Sequence, residues 1–228
     1  MDIFFPRFCF GCKKEGTYLC DDCKAVLEIS EYNYCLCEKN PLRLPSAGKC
    51  QRCQSKKLSG LYFALSFQES SLIKKMIHQF KYEPYVRELA NPLASLIIDH
   101  LLLSDPSPFA KGEGLIPVPI DKKKLKKRGF NQAEELAKEL SIALKIPVFN
   151  NVLLKIKQTP SQVELTKEER EKNLKGAFSC VAPEMVKNKK IFLVDDVYTT
   201  GSTMEECGLT LKQAGAKEVW GIAVAREG

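Results

Sequence analysis

Residues 191–203 read Ile-Phe-Leu-Val-Asp-Asp-Val-Tyr-Thr-Thr-Gly-Ser-Thr, and this order narrows the possible folds more than any other part of the chain. The first four residues form a β-branched and aromatic run suited to a strand buried on both faces, and parallel sheets bury both faces. Asp195 and Asp196 follow at the carboxyl end of that strand, where open α/β sheets bind their ligands. Carboxylates there can accept hydrogen bonds from vicinal hydroxyls and help hold Mg²⁺. Gly201 permits a tight turn, while Thr199, Thr200, Ser202 and Thr203 offer hydroxyl and backbone N–H groups to an anion at the start of the following helix. The pattern reads as a sugar-phosphate site. No Gly-Lys-Thr follows, which argues against a triphosphate P-loop. A simple N-capping cluster is the competing reading, but one cap needs one such residue, and seven polar or Gly positions fall within nine here.

The segment resembles the phosphoribosyl-pyrophosphate signature of type I phosphoribosyltransferases, with Tyr198 where that family often has an aliphatic residue. The flanking pattern agrees with such a domain. Strand-like runs at Leu61–Phe67, Leu115–Pro119, Asn151–Lys157, Lys190–Val194 and Val219–Val224 are interleaved with helical periodicity. That periodicity covers Leu72–Phe80, Val86–Leu103 with Pro92 in its first turn or at a kink, Asn131–Leu144, Thr166–Leu174 and Ser202–Ala214. Alternation of this kind predicts a parallel sheet flanked by helices.

Eight of the ten cysteines lie before residue 54, as Cys9-x-x-Cys12, Cys20-x-x-Cys23, Cys35-x-Cys37 and Cys50-x-x-Cys53. Paired thiolates on a turn can face one ion, and two pairs complete a tetrahedral Zn²⁺ shell. Sequential pairing would put the first four on one ion and the last four on another; cross-pairing stays open, and the Cys-x-Cys pair is the less common ligand spacing. A disulfide scaffold is the alternative. It fits poorly with a large α/β domain and a start, Met1-Asp2-Ile3-Phe4-Phe5-Pro6, that has no basic n-region or cleavage site. A zinc-ribbon module over residues 1–58, stabilised mostly by one or two structural metals, and an α/β domain over 59–228 are expected. Cys180 and Cys207 read as packed thiols.

Net charge is +7, a modest excess compatible with a polyanionic ligand or nucleic acid. Much of it sits in Asp121–Gln132, a run with Lys122, Lys123, Lys124, Lys126, Lys127 and Arg128. A basic run is often only a solvated loop. Here it follows a strand's carboxyl end in the same crevice as Asp195 and Asp196, and a pyrophosphate needs cationic partners. Arg128, with its bidentate guanidinium, is the leading candidate. Gln158, Thr159 and Gln162 lie before a capping box at Thr166 and Glu169 and are free to serve a closing lid. No apolar run reaches membrane-span length, and a cytosolic protein is expected.

The chain as a whole resembles the competence protein F (ComFC) family. The likeness rests on the cysteine ribbon, the helix bearing His78 through Lys81-Tyr82, Pro117-Val118-Pro119 and Lys127-Arg128-Gly129-Phe130-Asn131-Gln132. It continues through Gln158-Thr159 and Gln162, Arg170 through Phe178, and Asp195 through Thr203. The resemblance implies a domain that binds phosphoribosyl pyrophosphate with Mg²⁺ through Pro119, Lys127, Arg128, Asp195, Asp196 and Thr199–Thr203. It also implies cytoplasmic handling of single-stranded DNA during natural transformation, with a helicase-like ATPase as partner. If the domain is catalytic, Asp195, Asp196, Arg128, Thr159 and Gln162 carry the chemistry, and the acceptor base or nucleotide is unspecified. A scaffold or regulator that kept the fold and lost the chemistry is a further reading.

Overall fold

The four apolar residues that open the 191–203 stretch are buried on two different sides: Ile191 and Leu193 in one core cluster, Phe192 and Val194 in the other. That two-sided burial is what a central parallel strand requires. The computed structural model describes residues 6–68, 70–104, 114–157 and 172–227. Among these, the strands are β1 (Asn33–Tyr34), β2 (Arg43–Leu44), β3 (Gly60–Ser66), β4 (Gly114–Pro117), β5 (Leu153–Lys155), β6 (Phe178–Cys180), β7 (Lys190–Tyr198) and β8 (Glu218–Arg226). The α-helices are α1 (Asp21–Ala25), α2 (Ser71–Lys81), α3 (Ala90–Ser104), α4 (Lys122–Arg128), α5 (Gln132–Leu144) and α6 (Ser202–Gln213).

The main sheet has the order β3-β8-β7-β4, with every pairing parallel. A bridge from Leu115 to Val148 extends it by one position beyond β4. On one face pack α2, α3 and α5 through Ile73, Phe80, Leu93, Ile97 and Leu136; on the other packs α6 through Met204, Cys207 and Leu211. Burying each such aliphatic or aromatic side chain contributes roughly 1.5–3 kcal/mol before the loss of chain entropy. Pro92 sits in the first turn of α3, where its missing N–H costs nothing.

The sequence pattern and the structure part in three places. The 151–157 segment forms β5, but β5 pairs antiparallel with β6 in a separate two-stranded sheet instead of joining the parallel one. Strand β7 runs on to Tyr198, so Asp195 and Asp196 belong to its last pleats. The basic run is a helix, α4. Asp121 caps it by accepting from Lys123 N at 2.8 Å, Lys and Arg are good helix formers, and Gly129 ends it at φ 83°. Residues 172–174 are helical; the remainder of Thr166–Leu174, and the capping box at its start, lie outside the described residues.

The cysteine-rich segment lies along the open edge at β3. Leu19 packs on the α3 side, while Leu36, Cys53 and Leu58 pack on the α6 side. Ser30 N donates to Ala64 O of β3 at 2.8 Å, so the segment also covers the strand's unpaired backbone. Arg226, at the end of β8, is 2% exposed and donates to the carbonyls of Cys35, at 2.8 Å, and of Cys37.

Candidate sugar-phosphate site and cysteine tetrads

Strands β4 and β7 are neighbours whose chain continues in opposite directions. β7 leads through α6 to β8 on one side, and β4 leads through α4 and α5 to the bridge at Val148 on the other. A crevice opens at the carboxyl ends of two such strands. Here it is a cavity of about 240 Å³ lined from β4's continuation by Pro119, Lys124 and Arg128, from β7 by Asp195 and Asp196, and from the turn beyond by Thr199, Gly201, Ser202 and Thr203.

The carboxylates differ in surroundings. Asp196 is buried, and its Oδ1 lies 2.8 Å from Lys81 Nζ at the end of α2. Burial works against the Lys81 charge, yet attraction to Asp196 and then Asp195 outweighs it and raises its pKa. Asp195 is half-buried and accepts from Asp196 N at 2.9 Å. Burial, reinforced by the negative charge of Asp196, pushes its carboxyl up to about 7, against the pull of Lys81. One carboxylate is thus ion-paired and the other titrates near neutrality.

The Arg128–Gln132 block acts as a unit. Burial lowers the Arg128 pKa, opposed by Asp196, but a guanidinium stays charged regardless. Arg128 donates to Gln132 Oε1, and Gln132 Nε2 donates to Phe80 O at 2.8 Å, next to Lys81. Asn131 caps α5, accepting from Ala133 N at 3.1 Å, and donates to Val118 O at 3.0 Å. Phe130 packs on Phe80 with centroids 5.7 Å apart. The motif places one cation and ties α2, α5 and the β4 loop together.

In the hydroxyl turn, Gly201 adopts φ 77°, and a Cβ there would collide with the Tyr198 hydroxyl and ring. Only glycine fits, and the turn delivers the chain to the α6 N-terminus, where Ser202 N donates to Thr200 Oγ1 at 3.4 Å. Thr200 Oγ1 and Ser202 Oγ are 2.9 Å apart. The Tyr198 hydroxyl is buried and has no hydrogen-bond partner among the described residues. Of the residues singled out from sequence, Asp195, Asp196, Arg128, Pro119, Thr199, Gly201, Ser202 and Thr203 line one cavity. Thr200 is not among the lining residues, but its hydroxyl contacts that of Ser202. Lys127 is engaged elsewhere, 3.7 Å from Glu83, and Thr159 and Gln162 lie outside the described residues. The sequence reading missed Lys81 and Lys155 as lining residues. A lysine closing an amphipathic helix is too ordinary a signal to single out alone.

The eight N-terminal cysteines fall into two sets, Cys9, Cys12, Cys20, Cys23 and Cys35, Cys37, Cys50, Cys53, with the sulfurs of each set within 4.8 Å of one another. The grouping is sequential. Contacts of 3.5 Å between Cys12 and Cys20 and 3.8 Å between Cys50 and Cys53 approach the edge of about 3.8 Å that a tetrahedron with Zn–S bonds of about 2.3 Å has. No cysteine among the described residues is in a disulfide. Both sets fit zinc, and every ligand position is filled by sulfur, as in structural sites.

Together these features define a class: a phosphoribosyltransferase-type α/β domain carrying two N-terminal cysteine tetrads. The phosphoribosyl transferase domain family matches residues 125–227. Competence protein F of Haemophilus influenzae is 30% identical over 227 residues, covering 92% of this chain and 98% of that protein. DNA utilization protein YhgH of Salmonella typhimurium is 28% identical, covering 89% and 95%. Competence protein ComFC of Streptococcus pneumoniae is 27% identical, covering 94% and 90%. The chain belongs to the competence protein F family. Among solved structures, the glutamine phosphoribosylpyrophosphate amidotransferase from B. subtilis matches at 20% identity and a TM-score of 0.37, over 60% of this chain and 25% of that one. Among the described residues no helix is long and apolar enough to cross a membrane.

Proposed function

We propose that this protein binds phosphoribosyl pyrophosphate with Mg²⁺ in the β4–β7 cavity and handles single-stranded DNA in the cytoplasm during DNA uptake, alongside a helicase-like ATPase. One observation carries the ligand reading: two carboxylates, a glycine-hydroxyl turn at a helix N-terminus and the Arg128 guanidinium converge on the same cavity. The names of the relatives, tied to competence and DNA utilization, support the biological role.

In this reading the α6 N-terminus and Ser202 and Thr203 hold the 5′-phosphate, with the unpartnered Tyr198 hydroxyl buried beneath the turn. Asp195 and Asp196 accept from the ribose hydroxyls. The carboxylate oxygens also fit a hard divalent ion, and Mg²⁺ held with Asp195 would neutralise pyrophosphate charge. Arg128 and Lys124 take the pyrophosphate oxygens. The two cysteine tetrads hold structural zinc. If the domain is catalytic, positive charge developing on the ring as pyrophosphate leaves is stabilised by the carboxylates, and the segment bearing Thr159 and Gln162 excludes water. A transferase acting on an unidentified base or nucleotide, without a direct DNA role, is the second reading, favoured by cations and carboxylates lining one cavity.

Calorimetric titration with phosphoribosyl pyrophosphate and Mg²⁺ tests the ligand reading. Binding by the native protein that is lost in Asp195→Asn with Asp196→Asn is the expected result. Absence of binding by the folded, zinc-loaded native chain overturns it.

A further inference from the structure

A second cavity, of about 540 Å³, lies across the Pro119–Asp121 turn from the sugar-phosphate site and shares Pro119, Asp121, Asn131 and Lys155 with it. Its floor is apolar. Ile116, Phe149 and Leu153 are buried there, while Leu125 and Ile156 stand at the mouth, 42% and 62% exposed. Its two walls are cationic: α4 on one side, with Lys122 facing the cavity, and β5 with its continuation on the other, bearing Lys155 and Lys157. Both carboxylates that line it are engaged elsewhere. Asp121 caps α4, and Glu134 pairs with Lys138 at 2.8 Å. The exposed amides of Asn150 and Asn151 complete one end.

Lys122, Lys123, Lys124 and Lys126 are exposed and have no carboxylate within salt-bridge distance among the described residues; on α4 only Lys127 does. This is more unneutralised charge than one phosphate requires, and it extends over a helix about 10 Å long. Apolar floor, amides and lysine walls suit a nucleotide whose base is unpaired, because a paired base cannot leave the stack to reach the floor without the cost of unstacking. Charge running on beyond the cavity suits the backbone of a polymer.

We infer that the groove between α4 and β5 is the single-strand binding surface, with one base lodged over Ile116, Leu125 and Ile156 and the flanking phosphates on Lys122, Lys123 and Lys126 of α4. The inference rests on the DNA-handling reading and adds a place and a mode to it. Because the groove shares a wall with the sugar-phosphate site, a lodged nucleotide sits beside any sugar phosphate bound there.

The test is fluorescence anisotropy of a labelled oligothymidylate of about 12 nucleotides, roughly one OB-fold-sized site, with the zinc-loaded full chain. Native protein is compared with Lys122→Glu/Lys126→Glu, with Ile156→Asp, and with Lys187→Glu/Lys217→Glu. The last pair alters charge equally but sits at the opposite, amino end of β7 and β8. The α4 pair is expected to weaken binding about tenfold or more and to flatten its salt dependence, Ile156→Asp several-fold, and the distant pair about twofold at most. Calorimetry with phosphoribosyl pyrophosphate should give the native affinity for Ile156→Asp, showing a folded domain. If native protein binds the oligonucleotide and all variants weaken alike, the groove assignment is overturned while the DNA-handling reading stands. If native protein binds no oligonucleotide, both fall. Equal affinity for duplex, or displacement by free thymidylate at equal nucleotide concentration, also overturns the single-strand assignment.

Discussion

Asp195→Asn should stabilise the protein above neutral pH and leave it nearly unchanged in acid. The wild-type carboxyl titrates at 3.8 in the unfolded chain and at about 7 when folded, with burial and then the charge of Asp196 responsible for the rise. Because the folded value is the higher one, the stability this group contributes is fully present below pH 3.8. It is lost as pH rises towards 7, since the folded state holds the proton that the unfolded chain has released. Each pH unit in that interval carries about 1.4 kcal/mol, so the loss reaches up to about 4 kcal/mol, and less to the extent that solvent screens a half-buried group. Asparagine keeps an oxygen for Asp196 N and cannot ionise. Urea unfolding of zinc-loaded protein at pH 5 and pH 8.5, without sugar phosphate, measures the difference. The variant is expected to gain about 1–3 kcal/mol over wild type on going from the lower to the higher pH. An effect of the same size and sign at both values would refute the reasoning, because it would mean that the carboxyl's charge state is irrelevant to folding.

Other consequences are accessible to simple measurements. Lys81→Met strands the buried Asp196 carboxylate; since Lys81 is 28% exposed, the cost should be about 1–3 kcal/mol by urea unfolding, below that of a fully buried pair. Gly201→Ala combines left-handed strain with contact on the Tyr198 ring, and should destabilise by about 2–4 kcal/mol and weaken sugar-phosphate binding in calorimetry. Elemental analysis should find two zinc ions per chain, falling to one in Cys35→Ser while the first tetrad stays filled. Arg226→Met leaves the carbonyls of Cys35 and Cys37 without their donor and should accelerate zinc loss from the second tetrad alone, read by a chromogenic chelator.

Much of this protein is legible in one dimension because its signals are local. Ile191–Val194 announces a strand buried on both sides, the eight early cysteines announce two four-sulfur sets, and Gly201 with its flanking hydroxyls announces a tight turn before a helix. The helix of the basic run is also written locally, in the Asp121 cap and Gly129, but a dense row of lysines reads first as solvated chain. The 151–157 segment shows the limit of periodicity: its residues specify a strand, while the partner that takes it out of the parallel sheet, β6, lies more than twenty residues on.

Sequence alone determined which residues have the chemistry, since carboxylates, thiols and a hydroxyl turn are covalent facts with short-range geometry. Tertiary structure alone decided which of them meet. Lys81 reaches Asp196 across 115 residues of chain because Gln132 and Phe130 hold the end of α2 against the crevice. The same buried setting makes Asp195 titrate near neutrality. A pKa depends on the dielectric and the charges within a few ångströms, and these are set by packing between distant segments.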